Sequence, residues 1–309
     1  MRIVFMGTPD FAVPTLRALL DSRHEVVGVV TQPDKAKGRS KKLVPPPVKE
    51  AALEAGVQVF QPERVREEGF LEQMQALRPD VIVVVAFGQI LPKSLLELPR
   101  HGCINVHASL LPLLRGSAPI QWAVIEGHRE SGVTIMQMDE GIDTGDILSA
   151  KHYTLEEKET GGSLFEKLSE LGGPLLLEVL EQAERGELVR TPQREEEHTS
   201  AKMLTKSLGE IDFTESAARI ERLIRGLNPW PSAYTHVDGK LLKIWDADVV
   251  DEDSGEEPGT VLSVGQGDFT IQCGKGILRI NSVQLEGKKR MESGAFLRGY
   301  PLRAGSILR

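Results

Sequence analysis

The 309-residue sequence predicts an α/β domain on a doubly wound, mostly parallel sheet, followed by a smaller β-barrel C-terminal domain. Three observations carry that expectation. Over the first two-thirds, short β-rich apolar runs alternate with amphipathic stretches, the texture of strand–helix–strand crossovers. One of the runs, Asp80–Phe87 (DVIVVVAF), is apolar on both faces, as a central parallel strand buried between helices must be. After about residue 186 the texture changes to short strands and Gly-rich turns.

In chain order, Ile3–Met6 reads as a buried strand and Pro14–Leu20 as a helix after the Gly7-Thr8-Pro9 turn. Glu25–Val30, Val57–Phe60 and Asp80–Phe87 follow as strands, and Cys103–Ser109 and Val133–Met138 continue the pattern. Ala118–Glu126 and Ser163–Arg185 read as helices. Thr191–Ser207 is polar, carries the run Glu195-Glu196-Glu197 and reads as a linker. Thr214–Gly226 is a short helix closed by Gly226. Lys240–Trp245, Gly259–Val264, Phe269–Cys273 and Ile277–Leu285 then supply the strands of the second domain. The expected division is residues 1–189, a linker at 190–206, and residues 207–309. Neither half shows an internal repeat.

Composition narrows the function classes. With 37 Lys and Arg against 45 Asp and Glu, the net charge is −8, which excludes a generally polybasic protein. Hydrophobic residues at 40% and charged residues at 27% exclude wholesale disorder. Two cysteines far apart, Cys103 and Cys273, exclude a disulfide framework or a Cys-rich metal site and fit a reduced, cytoplasmic setting. No apolar run reaches the roughly 18–20 residues that span a bilayer. Met1–Gly7 reads as a strand rather than as a signal peptide. No exposed apolar stripe is evident, so a monomer is expected. Trp122, Trp230 and Trp245 are expected in the core rather than as stacking residues.

Phosphate-cradling glycine loops, zinc-ligand pairs on a helix and a nucleophile elbow are all missing from the sequence. The turn after the first strand has one glycine where a dinucleotide fingerprint needs three. The dense polar cluster lies instead at 105–116 and 137–146. Asn105 and His107 are two apart on a β-rich segment, so period two puts both side chains on one face. That pair reads either as satisfied polar groups at a strand end or as an amide donor beside an imidazole at a sheet's C-terminal edge. Leu110-Leu111-Pro112 can wall a pocket for a flat heterocycle, or simply pack the loop. Asp139–Asp146 holds four acids and two glycines, without the ligand spacing of a calcium loop. A carboxylate from it, folded over the strand end, would complete an Asn/His/Asp constellation.

Taken together, Asn105-x-His107-x-Ser109-Leu110-Leu111-Pro112, Arg115-Gly116-x-x-Pro119-Ile120 and Asp143-Thr144-Gly145 resemble the 10-formyltetrahydrofolate-dependent formyltransferases. Gly7-Thr8-Pro9-Asp10-Phe11, Thr31-Gln32-Pro33-Asp34 and Asn228–Ala233 are similar to the bacterial members that act on methionyl initiator tRNA, and the likeness runs essentially end to end. The resemblance implies a Rossmann-like first domain and an OB-like barrel. It also implies formyl transfer from 10-formyltetrahydrofolate to the α-amine of methionyl initiator tRNA, with no metal. Asn105, His107 and Asp143 would be catalytic; Ser109, Leu110, Leu111 and Pro112, with Phe87 and Gly88, would line the folate site. The sequence departs from its relatives at Leu113-Leu114, where they often carry a basic or aromatic residue.

Charge distribution reconciles an acidic chain with a polyanionic partner. Residues 33–50 carry six basic and two acidic side chains, punctuated by Gly38 and Pro45–Pro47, which reads as an exposed loop. The resemblance implies that this loop reaches the acceptor stem through Arg39, Lys41 and Lys42. Residues 275–309 carry eight basic side chains against Glu286 and Glu292, while 238–268 are strongly acidic, so a polarised C-terminal domain is expected. Lys288, Lys289 and Arg290 are the expected phosphate contacts there. A folate enzyme acting on a small amine, or an RNA-binding protein without turnover, would share parts of this pattern, but a small amine needs neither basic segment.

Overall fold

In the computed structural model, which describes residues 1–37 and 42–309, two compact units form. The first comprises Met1–Pro119, Glu130–Thr154 and Phe165–Ala201; the second comprises Ile120–Arg129, Leu155–Leu164 and Lys202–Arg309. The strands of the first are β1 (Arg2–Gly7), β2 (Glu25–Val30), β3 (Lys35–Lys37), β4 (Lys42–Val44), β5 (Val59–Phe60), β6 (Val81–Val85), β7 (Cys103–His107), β8 (Arg115–Gly116), β9 (Glu130–Gln137), β10 (Ile147–Thr154) and β11 (Ser200–Ala201).

Seven of these make one sheet in the order β10-β9-β7-β6-β1-β2-β5. β1, β2, β5, β6 and β7 are parallel, and helices over Val13–Leu20, Pro47–Glu54 and Phe70–Leu77 occupy the crossovers between them. From β1 the chain steps outward to β2 and β5, then returns to β6 on the other side. The strand order therefore reverses between β1 and β6, and a crevice opens at their carboxyl ends. β6 is buried at every position, as its uninterrupted Val/Ile run requires. Each such side chain contributes about 1.5–3 kcal/mol by leaving water.

The parallel pattern stops at β7. β9 runs antiparallel to β7, and β10 antiparallel to β9. β9 and β10 are joined by the short 138–146 loop, which has no room for a crossover, so the pair closes as a hairpin. β10 was not anticipated because it is an edge strand whose middle, Ala150, Lys151 and His152, is exposed on both faces. Within the basic 33–50 stretch, expected as a loop, β3 pairs antiparallel with β4, and the helix Pro47–Glu54 begins. Behind β7 runs the helix Gly161–Arg185. A Cβ on its Gly172 would meet Val106 Cγ1 at 2.9 Å, and one on Gly173 would meet Ala18 Cβ at 2.7 Å. Two adjacent glycines thus let this helix lie tightly against β7 on one side and the helix Val13–Leu20 on the other.

The second unit is an antiparallel sheet of β12 (Ala233–Val237), β13 (Lys240–Val250), β14 (Val261–Val264), β15 (Phe269–Gln272), β16 (Ile277–Leu285) and β17 (Met291–Glu292). Its path is β12-β13-β16-β15-β14, with β17 on β16. Residues 305–309 bridge the two outer strands. His236 of β12 donates its N–H to the Arg309 carbonyl at 2.7 Å, and Val261 of β14 donates to the Ser306 carbonyl at 2.8 Å. The tail thereby closes the sheet into a barrel and leaves neither edge unpaired. Ile244, Phe269, Ile280 and Phe296 fill the interior, and Ile220 and Ile224 of the helix Ala217–Gly226 pack onto it. That helix starts at Ala217, later than the sequence suggests, because Ser216 is its N-cap: the Ser216 hydroxyl accepts the Arg219 N–H at 3.2 Å.

None of the three tryptophans is a core residue, contrary to expectation. Trp230 is 56% exposed, while Trp122 and Trp245 are half-buried with their indole N–H groups given to the Lys202 carbonyl and the Gln284 amide oxygen. A ring of that size carrying an obligatory donor settles more readily at a wet boundary than in a closed core.

Candidate active site

The site grows from the end of β7. Ile104 and Val106 are buried on one face, and period two turns Asn105 and His107 together to the other. β7 pairs with β6 through Val84–Asn105 and with β9 through His107–Thr134, so the backbone under both side chains is held from two sides. His107 is 7% exposed. Its Nε2–H donates to the Leu114 carbonyl at 3.1 Å, and its Nδ1 lies 3.7 Å from Asp143 Oδ2. The same carboxylate oxygen accepts the Gly116 N–H at 2.8 Å. Asn105 is half-buried, and its amide has no hydrogen-bond partner among the described residues. The three side chains singled out in the sequence therefore share one location, with an imidazole facing a fixed carboxylate and an amide left free.

Two loops hold the imidazole in place, and both use left-handed backbone. Leu114 has φ 58°, Gly116 φ 120° and Asp143 φ 55°. Asp tolerates this region, whereas Leu does so only when its surroundings over-determine it. A Cβ on Gly116 would lie 2.6 Å from the Ala201 carbonyl oxygen, so a glycine is required there for β8 to pair with β11. The Leu114 N–H donates to the Thr199 hydroxyl and the Arg115 N–H to the Thr199 carbonyl, both at 2.9 Å. In the second loop, Asp139 Oδ1 accepts from the Gly141 N–H at 3.0 Å and the Thr144 hydroxyl at 2.7 Å, which folds 138–146 on itself.

Residues 109–112 are fastened to the sheet. The Thr134 hydroxyl donates to the Ser109 carbonyl at 2.6 Å and accepts the Leu111 N–H at 3.1 Å, and the Leu111–Pro112 peptide is cis. The Ser109 hydroxyl is committed to the Leu113 carbonyl at 2.6 Å, so this side chain shapes the loop. Leu111 is buried, while Leu110 and Pro112 are half-buried. Phe87 and Gly88 follow β6, next to β7; the Phe87 carbonyl accepts from Thr8 Oγ1 at 3.1 Å and Gln32 Nε2 at 3.3 Å. Gly88 has φ 86°, and a Cβ there would meet only Gln32, at 3.8 Å. Exposed apolar side chains Ile90 and Ile142 stand in the loops after β6 and β9. These groups fit a flat, partly apolar heterocycle read by backbone polar atoms.

Sequence reasoning missed Gln193 and Thr199, because they sit in the polar stretch that composition marks as a linker. A signal was present: Arg115 is 6% exposed, and a buried guanidinium must find acceptors. It donates Nε–H to Gln193 Oε1 at 3.0 Å and reaches Glu195 Oε2 at 2.8 Å, and the guanidinium holds the Glu195 carboxyl below its usual range.

Of the expected polyanion contacts, Arg39 and Lys41 lie outside the described residues. Lys42 is exposed on β4. Lys49 is bound to Asp34 at 2.9 Å, and hydrogen bonds from Gln61 and Lys49 lower the Asp34 carboxyl, so this lysine is neutralised within the fold. Lys288, Lys289 and Arg290 are exposed between β16 and β17, where the Arg290 guanidinium stands 5.2 Å from the Trp245 ring centroid. Arg279 is 3.7 Å from Asp268, so part of the basic C-terminal stretch is offset by the acidic one. Among the described residues, no group of three or more His, Cys, Asp or Glu is placed to hold a metal ion, and no helix is long and apolar enough to cross a membrane.

The chain is similar to known proteins along its whole length. A family model described as formyl transferase matches residues 1–180, and one described as formyl transferase, C-terminal domain, matches residues 203–301. The chain is 60% identical to the methionyl-tRNA formyltransferase of Lachnospira eligens, covering 100% of this chain and 99% of that protein. It is 55% identical to that of Agathobacter rectalis, covering 99% of each. Among solved structures, a sugar 3N-formyl transferase, WlaRD, determined with dTDP and 5-N-formyl-THF, matches with TM-score 0.66 at 19% identity over 94% of this chain and 99% of its own. HypX from Aquifex aeolicus, in complex with tetrahydrofolic acid, matches with TM-score 0.62 at 20% identity. The match takes in all of this chain and 50% of HypX. At such identities these two structures speak to the fold alone.

Proposed function

The chain belongs to the formyltransferase family, and on that premise we propose that it transfers the formyl group of 10-formyltetrahydrofolate to the α-amine of methionyl initiator tRNA. The product is N-formylmethionyl-tRNA for the start of translation in the bacterial cytoplasm. The observation that carries the chemistry is His107 facing Asp143 at 3.7 Å beside the unengaged amide of Asn105. Residues 1–189 carry the reaction in this reading, and 207–309 hold the tRNA.

The folate supplies an activated formyl carbon. The amine attacks that carbon, a C–N bond forms, and the carbonyl π pair moves onto oxygen. Asn105 offers an amide N–H to that oxygen, and His107 offers Nε2–H. The Nε2–H is fixed in the ring plane, so His107 serves that oxygen by sharing this proton between it and the Leu114 carbonyl, the oxyanion being the stronger acceptor. Each such donor is worth about 10²–10³ in rate. Asp143 stabilises the imidazole facing it and, through water, helps move a proton from the attacking amine to N10 as the oxyanion's pair re-forms the carbonyl and the formyl C–N10 bond breaks. Pro112, Leu110, Leu111 and Ser109 wall the folate side, and Phe87 and Gly88 offer backbone atoms to its pterin ring. Arg39, Lys41 and Lys42 serve the acceptor stem, while Lys288, Lys289 and Arg290 meet phosphates.

Single-turnover formylation with 10-formyltetrahydrofolate tests this reading. Methionyl initiator tRNA is the acceptor, with glycinamide ribonucleotide and an amino sugar nucleotide in parallel and His107→Ala as control. Fast, His107-dependent transfer to the charged tRNA alone is expected. Transfer to a small amine overturns the substrate, and no transfer to any acceptor overturns the activity.

A further inference from the structure

We infer that Gln193 is a positioning residue that sets the Asp143 carboxylate against His107, acting from a segment that neither family model matches; this rests on the function proposed above. The models end at residue 180 and resume at 203. Within that gap, Gln193 uses every polar atom of its side chain. Nε2 donates to the Asp143 carbonyl at 2.9 Å and to the Gly145 carbonyl at 2.7 Å, while Oε1 accepts the Arg115 Nε–H at 3.0 Å. A guanidinium only donates and a carbonyl only accepts, so the amide has one possible orientation.

The need for such a clamp is visible in the loop it grips. Asp143 sits at φ 55°, a conformation that non-glycine residues hold only under constraint. Among the described residues its side chain makes one hydrogen bond, to the Gly116 N–H, and that partner belongs to the loop carrying Arg115. Gln193 thus ties together the two loops that flank the imidazole, one reaching Nδ1 through Asp143 and the other reaching Nε2 through Leu114. Thr199, six residues on, fixes the second loop directly through the Leu114 and Arg115 N–H groups. Arg115 in turn is held by Glu195, so the clamp is anchored from behind. A side chain that only filled space would not need two donors on consecutive turns of an active loop.

The test replaces Gln193 by Met, which keeps its length but removes the three hydrogen bonds, and by Glu, which keeps the Arg115 acceptor and removes both donors. Both variants are expected to lower kcat by about 10²-fold, the usual effect of displacing a reacting group by an ångström, with KM for the folate little changed. A double-mutant cycle with Asp143→Asn separates positioning from mere destabilisation. Gln193→Met should add little to Asp143→Asn, because the two losses report one interaction. Additive losses, or an unaltered kcat in Gln193→Met, overturn the inference. Independently of turnover, the ring ¹⁵N resonances of His107 should move in Gln193→Met and stay unmoved in a surface control such as Lys206→Met. Unshifted His107 resonances in Gln193→Met overturn the inference even if the wild-type chain proves to act on another substrate. An inactive wild type, by contrast, speaks against the proposed function alone.

Discussion

Replacing Gly145 by Ala places a methyl group 1.7 Å from the Gln137 carbonyl oxygen, a clash with backbone that no rotamer can relieve. Real Cβ atoms essentially never come within 3.0 Å of such an atom, so the turn must move by about 1.3 Å. Asp143 is two residues away, and its carboxylate holds the Gly116 N–H at 2.8 Å. Carried along by that shift, the pair opens to about 4 Å and ceases to be a hydrogen bond. Misplacement on this scale costs about 10²-fold in rate, or about 2.7 kcal/mol of barrier. Gly141 supplies the control in the same loop. A Cβ there meets Thr144 Oγ1 at 2.0 Å, the end of a side chain that can rotate away at the expense of its hydrogen bond to Asp139. Gly141→Ala should therefore lose less than about tenfold. Single-turnover formylation at saturating folate measures both, with circular dichroism to verify folding. A folded Gly145→Ala enzyme within about threefold of the parent rate refutes the coupling between this turn and the carboxylate.

Asn105→Ala removes a donor that makes no internal hydrogen bond, so thermal unfolding should be nearly unchanged while kcat falls about 10²–10³-fold; a large drop in Tm with intact turnover would reverse that assignment. Neutralising Lys288, Lys289 and Arg290 together should raise KM for tRNA and reduce the slope of log KM against log salt by roughly 0.7–0.9 for each phosphate they cease to neutralise; an unaltered slope removes this turn from the RNA interface. Burial pushes both the Cys103 and Cys273 thiols up to about 12. At pH 8, about four units below, each is a thiol, so an aromatic disulfide reagent should leave the folded chain unlabelled and label two sites in denaturant. Rapid labelling of the native chain would show that one of them is reachable.

How much of this was legible in the sequence depends on the distance over which the physics acts. Alternation of apolar and polar residues is local. It located β1, β2, β6 and β16 closely, and period two alone put Asn105 and His107 on one face. β10 escaped because edge strands need no apolar signature, and the β3–β4 hairpin escaped because proline, glycine and lysine read as loop. The sense of β9 was equally hidden, since strand direction follows from which neighbour completes its hydrogen bonds and not from its own residues.

Chemistry followed the same division. Residue types and local spacing determined that an amide and an imidazole would stand together and where the positive charge would concentrate. The family resemblance singled out Asp143 among the four acids of its loop, and tertiary structure set it 3.7 Å from His107; only tertiary structure decided that Lys49 spends its charge on Asp34 and that Arg279 is offset by Asp268. It alone turned residues 193–201 into the support of the loops beside His107 and made the C-terminal tail the bridge between the outer strands of the second sheet. Contacts between distant segments depend on how a whole layer of side chains packs and on which buried donors remain to be satisfied, and no window of neighbouring residues contains that information.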